Sequence, residues 1–502
     1  MRILSLKFFT EKPVRFALIF VLLLSYFTYV HGYWNPPALF WDENYHIASA
    51  QKYLNGTFFM EPHPPLGKLM IALGEKIVHA NEANDQFIGT DYATNPPDGF
   101  SFVGYRLFPT LFGWLTAPLL FGIFYLLTRR KVLWSTLLSF LYIFDNALIV
   151  HARSAMLDST MLFFATLTIY AFLLILEWKD DPKRFLRASL LFGVAFACLM
   201  TTKAFGLILI LLIPFLAFAL RPQWRQIGKF LLWGGLSFAV AYCGIWQIHF
   251  SIAKDVNSVL PDSGTYQASA AYKKILSDGK TSSPLSFPVM LRDSLKFVSH
   301  YERGVPRLDL CKADENGSPW YLWPVGARTI NYRWETPNGS AYRYLTLQSN
   351  PVIWFFGLAS VLLAFCILAS ALLLPLRELP RERFLLTVFF TLYVCFLIAV
   401  SRIDRVMYLY HYFFPLLLSF LLASLVFTEI SRIGKWALTE ERKTSLLLAG
   451  ALLMFVSFQF FRPLSYYEPI GDKAFKQRQL LRVWELKCVR CDKDNPVAVP
   501  CS

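Results

Sequence analysis

The feature that most constrains the fold is a series of long apolar runs separated by short polar segments. The runs have about 18–22 residues, the length that an α-helix needs to cross the ~30 Å hydrocarbon core of a bilayer. The composition agrees, because 55% of the 502 residues are hydrophobic and only 17% are charged, whereas soluble domains carry about 25% charged residues. The sequence therefore predicts an all-α polytopic membrane protein.

The basic residues indicate how these runs cross the membrane. Lys and Arg cluster in alternate short loops, for example at 129–131 and 183–187, as they do in cytoplasmic loops. The net charge of +15 thus reports topology, and we expect no nucleic-acid partner. The pattern predicts a cytoplasmic N-terminus, an extracytoplasmic C-terminus and about eleven spans. These spans are 15–33, 106–127, 132–150, 159–177, 187–202, 204–220, 230–249, 351–374, 384–400, 410–429 and 444–461.

Two predicted outer loops are long, 34–105 and 250–350, and the residues after 461 form a polar tail. We therefore expect a membrane domain over 1–461 and an extracytoplasmic tail over 462–502. The first run is long and lacks a small-residue cleavage site, which favours a retained helix over a removed signal peptide.

The eight cysteines divide by location. Those in apolar runs are expected to be inert core residues, and those outside the runs are expected to form disulfides in an oxidising compartment. Four cysteines allow three pairings, among which the sequence does not choose. A metal site at the CxxC of 488–491 is the alternative, but neither a second CxxC nor a nearby histidine supports it. The apolar group is Cys198, Cys243, Cys366 and Cys395, and the outer group is Cys311, Cys488, Cys491 and Cys501.

Ionisable residues gather at the predicted outer ends of the spans. Any one of them could be solvated or snorkel to the headgroups, but as a set they indicate a polar cavity, because charges are costly near hydrocarbon. Arg and Lys suit a phosphate, and a carboxylate suits a general base, so the set indicates a lipid-linked anionic substrate. The residues are Asp42, Glu43, Arg106, Asp145, His151, Arg153, Asp158, Lys203, Arg402, Asp404, Arg405 and His411.

The first outer loop contains two predicted helices. The first covers about 42–54 and ends at Asn55-Gly56, a stop signal. In it Asp42 and His46 share a face while Glu43 points about 100° aside, so the adjacent carboxylates would have different roles. The second begins after Pro64-Pro65 and is amphipathic, which suits a helix lying in the membrane interface. Its apolar face holds Leu66, Leu69, Met70, Leu73 and Ile77, and Lys68, Glu75 and Lys76 face away.

Several motifs, in order along nearly the whole chain, resemble the protein O-mannosyltransferase family of lipid-carrier-dependent glycosyltransferases, which have the membrane GT-C fold. The most specific is HPPLGKL at 63–69 following DE at 42–43. The others are YR at 105–106, DNALIVHARSAMLDS at 145–159, TTKAFG at 201–206, IHF at 248–250, PWYLWP at 319–324, NPVIWFFG at 350–357 and YHYFFP at 410–415.

The resemblance implies transfer of mannose, with inversion, from polyprenyl- or dolichyl-phosphate-mannose to Ser or Thr hydroxyls of proteins on the extracytoplasmic side. It implies Asp42 as the general base, with Glu43 beside it as the second catalytic residue. It compels no metal, although a divalent cation (Mg or Mn) could be held by Asp42 and Asp158. The substrate- and phosphate-binding residues that it implies are His63, Arg106, Arg153, Asp158, Lys203 and His411.

The chain departs from the eukaryotic members, which carry a β-trefoil (MIR) domain in the long loop. About 100 residues are too few for it, so the chain resembles the short prokaryotic type, in a cytoplasmic membrane, either alone or as a homodimer. A first alternative is a glycosyltransferase that acts on a lipid or glycan acceptor, as lipid A-modifying relatives with this fold do. A transporter or flippase is a remote alternative, because the charges lie at the outer ends of the spans and no internal repeat is visible.

Overall fold

The computed structural model describes residues 11–257, 265, 267–312, 315–336, 342–375 and 379–488. The chain is mostly helical, as expected. The α-helices are α1 Lys12–Ser25, α2 Glu43–Leu54, α3 Leu66–Val78, α4 Val103–Leu127, α5 Val132–Leu138, α6 Phe140–Ile143, α7 Asn146–Ala152, α8 Asp158–Glu177, α9 Pro182–Met200, α10 Leu212–Ala219, α11 Trp224–Ile252, α12 Ala270–Ser277, α13 Phe287–Gly304, α14 Pro351–Leu373, α15 Arg383–Ser401, α16 Phe413–Glu429, α17 Glu440–Ser465 and α18 Asp472–Lys476. The strands are β1 Ile330–Glu335, β2 Tyr342–Leu347, β3 Arg432–Ile433, β4 Trp436–Ala437 and β5 Pro469–Ile470.

Within the described residues, eight helices are long and apolar enough to cross a membrane. A ninth span results if Val132–Ile143 and Asn146–Ala152, bent by 65°, are counted as one. The prediction of apolar spanning helices is confirmed, whereas the count of eleven stays a prediction. The eight are Lys12–Val30, Val103–Leu127, Asp158–Glu177, Trp224–Ile252, Pro351–Leu373, Arg383–Val400, Leu409–Glu429 and Glu440–Ser465.

When the bent pair is counted as one span, the difference from the predicted eleven lies in two predicted spans. Residues 204–220 form a 3₁₀ helix, Ala204–Leu211, followed by the short α10, and together they fall below the ~20 residues that a span needs. The predicted span 187–202 lies in α9, whose first turns carry Lys183, Arg184 and Arg187. Those charges lower the mean hydropathy of the helix, although its C-terminal half is apolar.

One compact unit comprises Met1–His31, Trp114–His151 and Arg307–Ser502. Buried polar side chains connect its helices. The amide of Asn350, at the start of α14, donates to the carbonyl oxygens of Phe144 (3.0 Å) and Met454 (3.1 Å). One turn on, the indole of Trp354 donates to the Asp145 carboxylate (2.7 Å). The contact with Phe144 satisfies a carbonyl that the break before α7 leaves without a helical partner.

The tail after α17 folds onto the long second loop in this unit. Strand β5 pairs antiparallel with β2, which pairs with β1, giving a three-stranded sheet. Trp484 is 1% exposed and donates to the Val325 carbonyl (3.0 Å). The predicted boundary at 461 stays a prediction, but residues 469–470 share a sheet with the loop.

The disulfide prediction is confirmed for two of the four outer cysteines. Cys311 and Cys488 are each disulfide-bonded, and Cys488, in the tail, is buried. Cys491 and Cys501 lie outside the described residues. Cys198, Cys243, Cys366 and Cys395 are free thiols, as expected of residues in apolar runs.

The second compact unit comprises Gly32–Gly113 and Ala152–Pro306. Helix α9 packs between α8 and α11, and its approach to α11 depends on glycine. A Cβ on Gly193 would lie 2.1 Å from the Gly234 carbonyl oxygen. Helices α2 and α3 pack against each other, and the predicted stop after α2 is confirmed, with Gly56 at a φ of +71°.

Helix α3 has the predicted amphipathic pattern, but its polar face is buried in the protein. Lys68 is 3% exposed and Glu75 0%, whereas Leu73 is 36% and Ile77 58% exposed. Lys76, in contrast, is exposed. The helix therefore turns apolar side chains outward, as a helix next to lipid does. Its buried polar face contributes to the site described below.

Candidate functional site

A buried ion pair organises the first outer loop of the second unit. Arg106, at 0% exposure, donates through Nε and Nη2 to the two oxygens of Glu43, at 2.7 and 2.8 Å. Its Nη1 donates to the carbonyls of Trp34 (2.9 Å) and Pro36 (2.7 Å), and Nη2 also donates to that of Ala38 (2.8 Å). All five guanidinium N–H groups are thus directed to protein oxygens.

This arrangement gives Arg106 a structural role, and its predicted contact with the carrier phosphate stays a prediction. A contact between its guanidinium and a carrier phosphate would have to displace one of the five protein acceptors. Glu43 is equally occupied, because it also accepts from the Ala155 amide (2.8 Å) and is 0% exposed. Both residues hold the loop 34–40 in place, and neither side chain is available to a substrate in this structure.

Asp42 is placed differently from its neighbour. It is the N-cap residue of α2, yet its carboxylate accepts no capping hydrogen bond from the first turn. The residue is partly exposed. Trp41, just before it, has a φ of +51°, a left-handed conformation that costs a non-glycine residue about 1–2 kcal/mol. The helical spacing predicted that the adjacent carboxylates would separate, and the structure confirms this.

Lys68, the lysine of the HPPLGKL motif, lies in the first turn of α3. Its ammonium donates to Glu61 Oε1 (2.5 Å) and Ser49 Oγ (3.0 Å), and Ser49 donates to Glu61 Oε2 (3.2 Å). The His63 amide also donates to Glu61 Oε1 (3.2 Å). Burial lowers the pKa of Lys68, and Glu61 opposes that shift. The polar network fixes the loop that carries His63. Glu61 and Ser49 were not among the predicted site residues, because single acidic and hydroxyl residues carry no motif of their own.

Two histidines lie close together beside this network. The rings of His46 and His63 are 6.4 Å apart between centroids, and His46 is 7% exposed. Burial holds the pKa of His46 well below its usual range, and Lys68, His63 and Lys203 lower it further, whereas Asp158 raises it. His46 is therefore a neutral imidazole. Helical spacing placed it on the face of Asp42, the one signal that could have identified it as a site residue.

Lys203 and Asp158 form a second buried pair. The ammonium donates to Asp158 Oδ1 (2.7 Å), and both side chains are under 10% exposed. Lys203 follows α9 in extended conformation, and Asp158 is the first residue of α8. The Leu66 amide donates to the Thr201 carbonyl (2.7 Å), which brings the TTKAFG segment next to the start of α3.

The other two predicted site residues have structural contacts. Arg153, in the second unit, donates to the Gly32 carbonyl (2.6 Å), at the beginning of the first outer loop. His411 belongs to the first unit, where its ring stacks on Tyr410 (4.5 Å between centroids) and Trp323 (6.1 Å). Seven of the eight predicted residues thus lie in one unit.

The part of the chain that the structure describes has no group of three or more His, Cys, Asp or Glu that could hold a metal ion. Of the two carboxylates predicted for a divalent cation, Asp158 is already paired with Lys203. Whether a divalent cation takes part stays a prediction.

Comparison with known proteins gives the family. Residues 19–254 match the family described as dolichyl-phosphate-mannose-protein mannosyltransferase. Residues 287–484 match the C-terminal four-transmembrane region of protein-O-mannosyltransferase. Together these two matches cover most of the helices of both units and contain every predicted site residue.

Two curated relatives show how much is shared. Dolichyl-phosphate-mannose–protein mannosyltransferase 1 of Candida albicans is 28% identical over 275 residues, which are 50% of this chain and 29% of that protein. Dolichyl-phosphate-mannose–protein mannosyltransferase 4 of Schizosaccharomyces pombe is 31% identical over 212 residues, 40% of this chain and 26% of that protein. The match spans less than a third of either relative's length.

Solved structures show the fold. A chain of the Saccharomyces cerevisiae protein O-mannosyltransferase Pmt1–Pmt2 complex bound to the sugar donor superposes with a TM-score of 0.78 at 13% identity, covering 94% of this chain and 93% of that one. The oligosaccharyltransferase of Archaeoglobus fulgidus tethered with an acceptor peptide gives 0.50 at 12% identity, covering 94% and 57%. The predicted GT-C fold is confirmed, and the protein is an integral multi-pass membrane protein. The chain belongs to the protein O-mannosyltransferase family.

Proposed function

We propose that this protein transfers mannose from polyprenyl-phosphate-mannose to Ser or Thr hydroxyls of proteins, with inversion, and that Asp42 is the general base. The observation that carries the proposal is the contrast between two adjacent carboxylates. Glu43 is buried in a bidentate pair with Arg106, whereas Asp42 is partly exposed and does not cap its own helix. One carboxylate is committed to structure, and the other stands where a substrate can reach it.

In the proposed reaction Asp42 accepts the proton of the acceptor hydroxyl while that oxygen attacks the anomeric carbon. The bond between the anomeric carbon and the phosphate oxygen breaks, and polyprenyl phosphate leaves with the additional negative charge. Lys203 stabilises that charge, because its ammonium is already desolvated and oriented by Asp158. Glu43, Arg106 and Arg153 act as positioning residues for the loop, and His63 is proposed to contact substrate.

The remaining parts of the proposal concern location and partners. The disulfide-bonded Cys311 and Cys488 support an oxidising environment for the outer loop and tail, and hence an extracytoplasmic active site. The prokaryotic cytoplasmic membrane is proposed because the long loop, with about 100 residues, is too short for a MIR domain. The basic clusters support a cytoplasmic N-terminus. We propose a homodimer. The yeast complex contains Pmt1 and Pmt2, and it supports assembly with a second chain, without indicating that this chain is identical. Light scattering of the purified protein would separate a dimer from a monomer.

The test is a transfer assay with purified protein, polyprenyl-phosphate-mannose and a peptide rich in Ser and Thr. We expect a mannosylated peptide by mass spectrometry, with an anomeric configuration opposite to that of the donor by NMR. Transfer to lipid but not to peptide would overturn the acceptor assignment. Repeating the assay in EDTA tests the metal. Full activity in EDTA would indicate that Lys203 stabilises the charge on the leaving phosphate. A loss of activity that Mg or Mn restores would indicate a divalent cation held by Asp42 and Asp158.

A further inference from the structure

His46 is a buried polar side chain that the proposed mechanism does not use. It is 7% exposed, and its Nδ1 is buried without a hydrogen-bond partner among the residues that the structure describes. Leaving a buried polar atom unpaired costs about 1–3 kcal/mol. A histidine kept at that cost without a protein partner points to a ligand that completes the hydrogen bond.

The position of His46 suggests which ligand this is. It lies one helical turn after Asp42, on the same face of α2. The centroid of its ring is 6.4 Å from that of the His63 ring. It is also close enough to Lys203 and Asp158 to feel their charges. His46 therefore neighbours both the proposed base, one helical turn away, and the pair that contains the proposed holder of the leaving phosphate.

The chemistry of the imidazole ring of His46 narrows the choice of ligand further. Burial, together with the nearby Lys68 and Lys203, disfavours the imidazolium form of His46, and the neutral ring offers one donor and one acceptor. A phosphate prefers cationic donors, so a neutral imidazole does not suit it. A sugar hydroxyl both donates and accepts, and matches the ring. The acceptor hydroxyl arrives from water at the partly exposed Asp42, whereas His46 lies deeper.

We propose that His46 forms a subsite for the hydroxyl groups of the donor sugar, with Nδ1 directed at the transferred residue. The inference rests on the proposed function, since it assumes a sugar bound between Asp42 and Lys203. It gives His46 a contact with the sugar alone, separate from the carrier phosphate and from the acceptor. Such a residue contributes to the choice of sugar.

The experiment compares three variants in detergent or nanodiscs. His46→Phe keeps a ring and removes both nitrogens, His46→Asn keeps a polar atom near Nδ1, and His46→Gln keeps one near Nε2. Each is titrated with polyprenyl phosphate and, separately, with polyprenyl-phosphate-mannose. We expect equal affinity for polyprenyl phosphate in all proteins. We expect His46→Phe and His46→Gln to bind the mannose-bearing donor roughly three- to tenfold more weakly, with His46→Asn near wild type.

The outcomes separate a sugar subsite from a role in acceptor binding or in folding. Wild-type donor binding by His46→Phe, or equal weakening for both lipids, overturns the sugar contact. A change confined to the KM for peptide assigns His46 to the acceptor and also overturns it. Thermal stability provides a second readout. Removing an unpaired buried nitrogen should leave Tm unchanged or raised, so a lowered Tm in both His46→Phe and His46→Asn shows a structural role instead.

A failure of the proposed function would look different. If the wild type binds polyprenyl-phosphate-mannose but mannosylates no peptide, the acceptor assignment fails while the comparison of the two lipids still decides the role of His46. If the wild type binds both lipids with equal affinity, it has no sugar subsite, and the inference on His46 falls.

Discussion

The ion pair between Glu43 and Arg106 should be essential for stability, and neutralising Glu43 tests this. Both side chains are at 0% exposure, so Glu43→Gln leaves a buried guanidinium without its countercharge. Breaking a buried pair from one side costs about 3–5 kcal/mol. The loop 34–40 would lose its anchor at the same time, because three of its carbonyls accept from Arg106.

The assay is the free energy of unfolding in mixed micelles, measured for Glu43→Gln, Arg106→Met and the double variant. We expect each single variant to lose about 3–5 kcal/mol and the double variant to lose less than their sum, since removing both charges avoids the unpaired one. The control is Asp91→Asn, which breaks the pair with Lys52 at an aspartate that is 75% exposed and should cost under about 1 kcal/mol. A Glu43→Gln variant no less stable than Asp91→Asn would refute this role of the pair.

Three further predictions concern the phosphate, the pH dependence and the helix packing. Lys203→Met should lower kcat/KM for the donor by about 10- to 100-fold, measured by initial rates, and Lys76→Met, at an exposed position of α3, is the control. The pKa of His46 is lower in the folded protein than in the unfolded chain. Below about pH 6.5 the unfolded chain therefore binds a proton that the folded protein does not, and the free energy of unfolding should fall by up to about 1.4 kcal/mol per pH unit. The stability difference between wild type and His46→Phe should therefore grow from pH 7 to pH 5, and a constant difference would contradict the burial of a neutral ring. Gly193→Ala should destabilise by about 1–3 kcal/mol through its clash with Gly234, whereas Gly235→Ala, whose Cβ meets nothing within 4 Å, should be neutral or stabilising.

The sequence predicted the helical membrane architecture and the division between Asp42 and Glu43 because both follow from local periodicity. A 100° step along a helix separates adjacent side chains whatever the rest of the chain does. It also predicted the break after α2, since Gly56 can adopt the required positive φ without strain.

The contacts of Arg106 and Lys68 could not be predicted in the same way. Whether an arginine meets a phosphate or a carboxylate depends on which loop folds over it, and Arg106 meets residues about 60 to 70 positions earlier. Amphipathicity predicted the two faces of α3, but not that Lys68, on the polar face, would be buried against Ser49 and Glu61. In a membrane protein the apolar face can be the exposed one.

The most direct test of Asp42 as the general base is single-turnover transfer by Asp42→Asn, with Asp91→Asn as the matched control. Asn keeps the size of the side chain and removes the base, and general base catalysis contributes about 10²- to 10⁴-fold. We expect a loss in that range, with wild-type binding of polyprenyl-phosphate-mannose and an unchanged Tm, while Asp91→Asn transfers normally. Transfer by Asp42→Asn at the wild-type rate would contradict the assignment of Asp42 as the base.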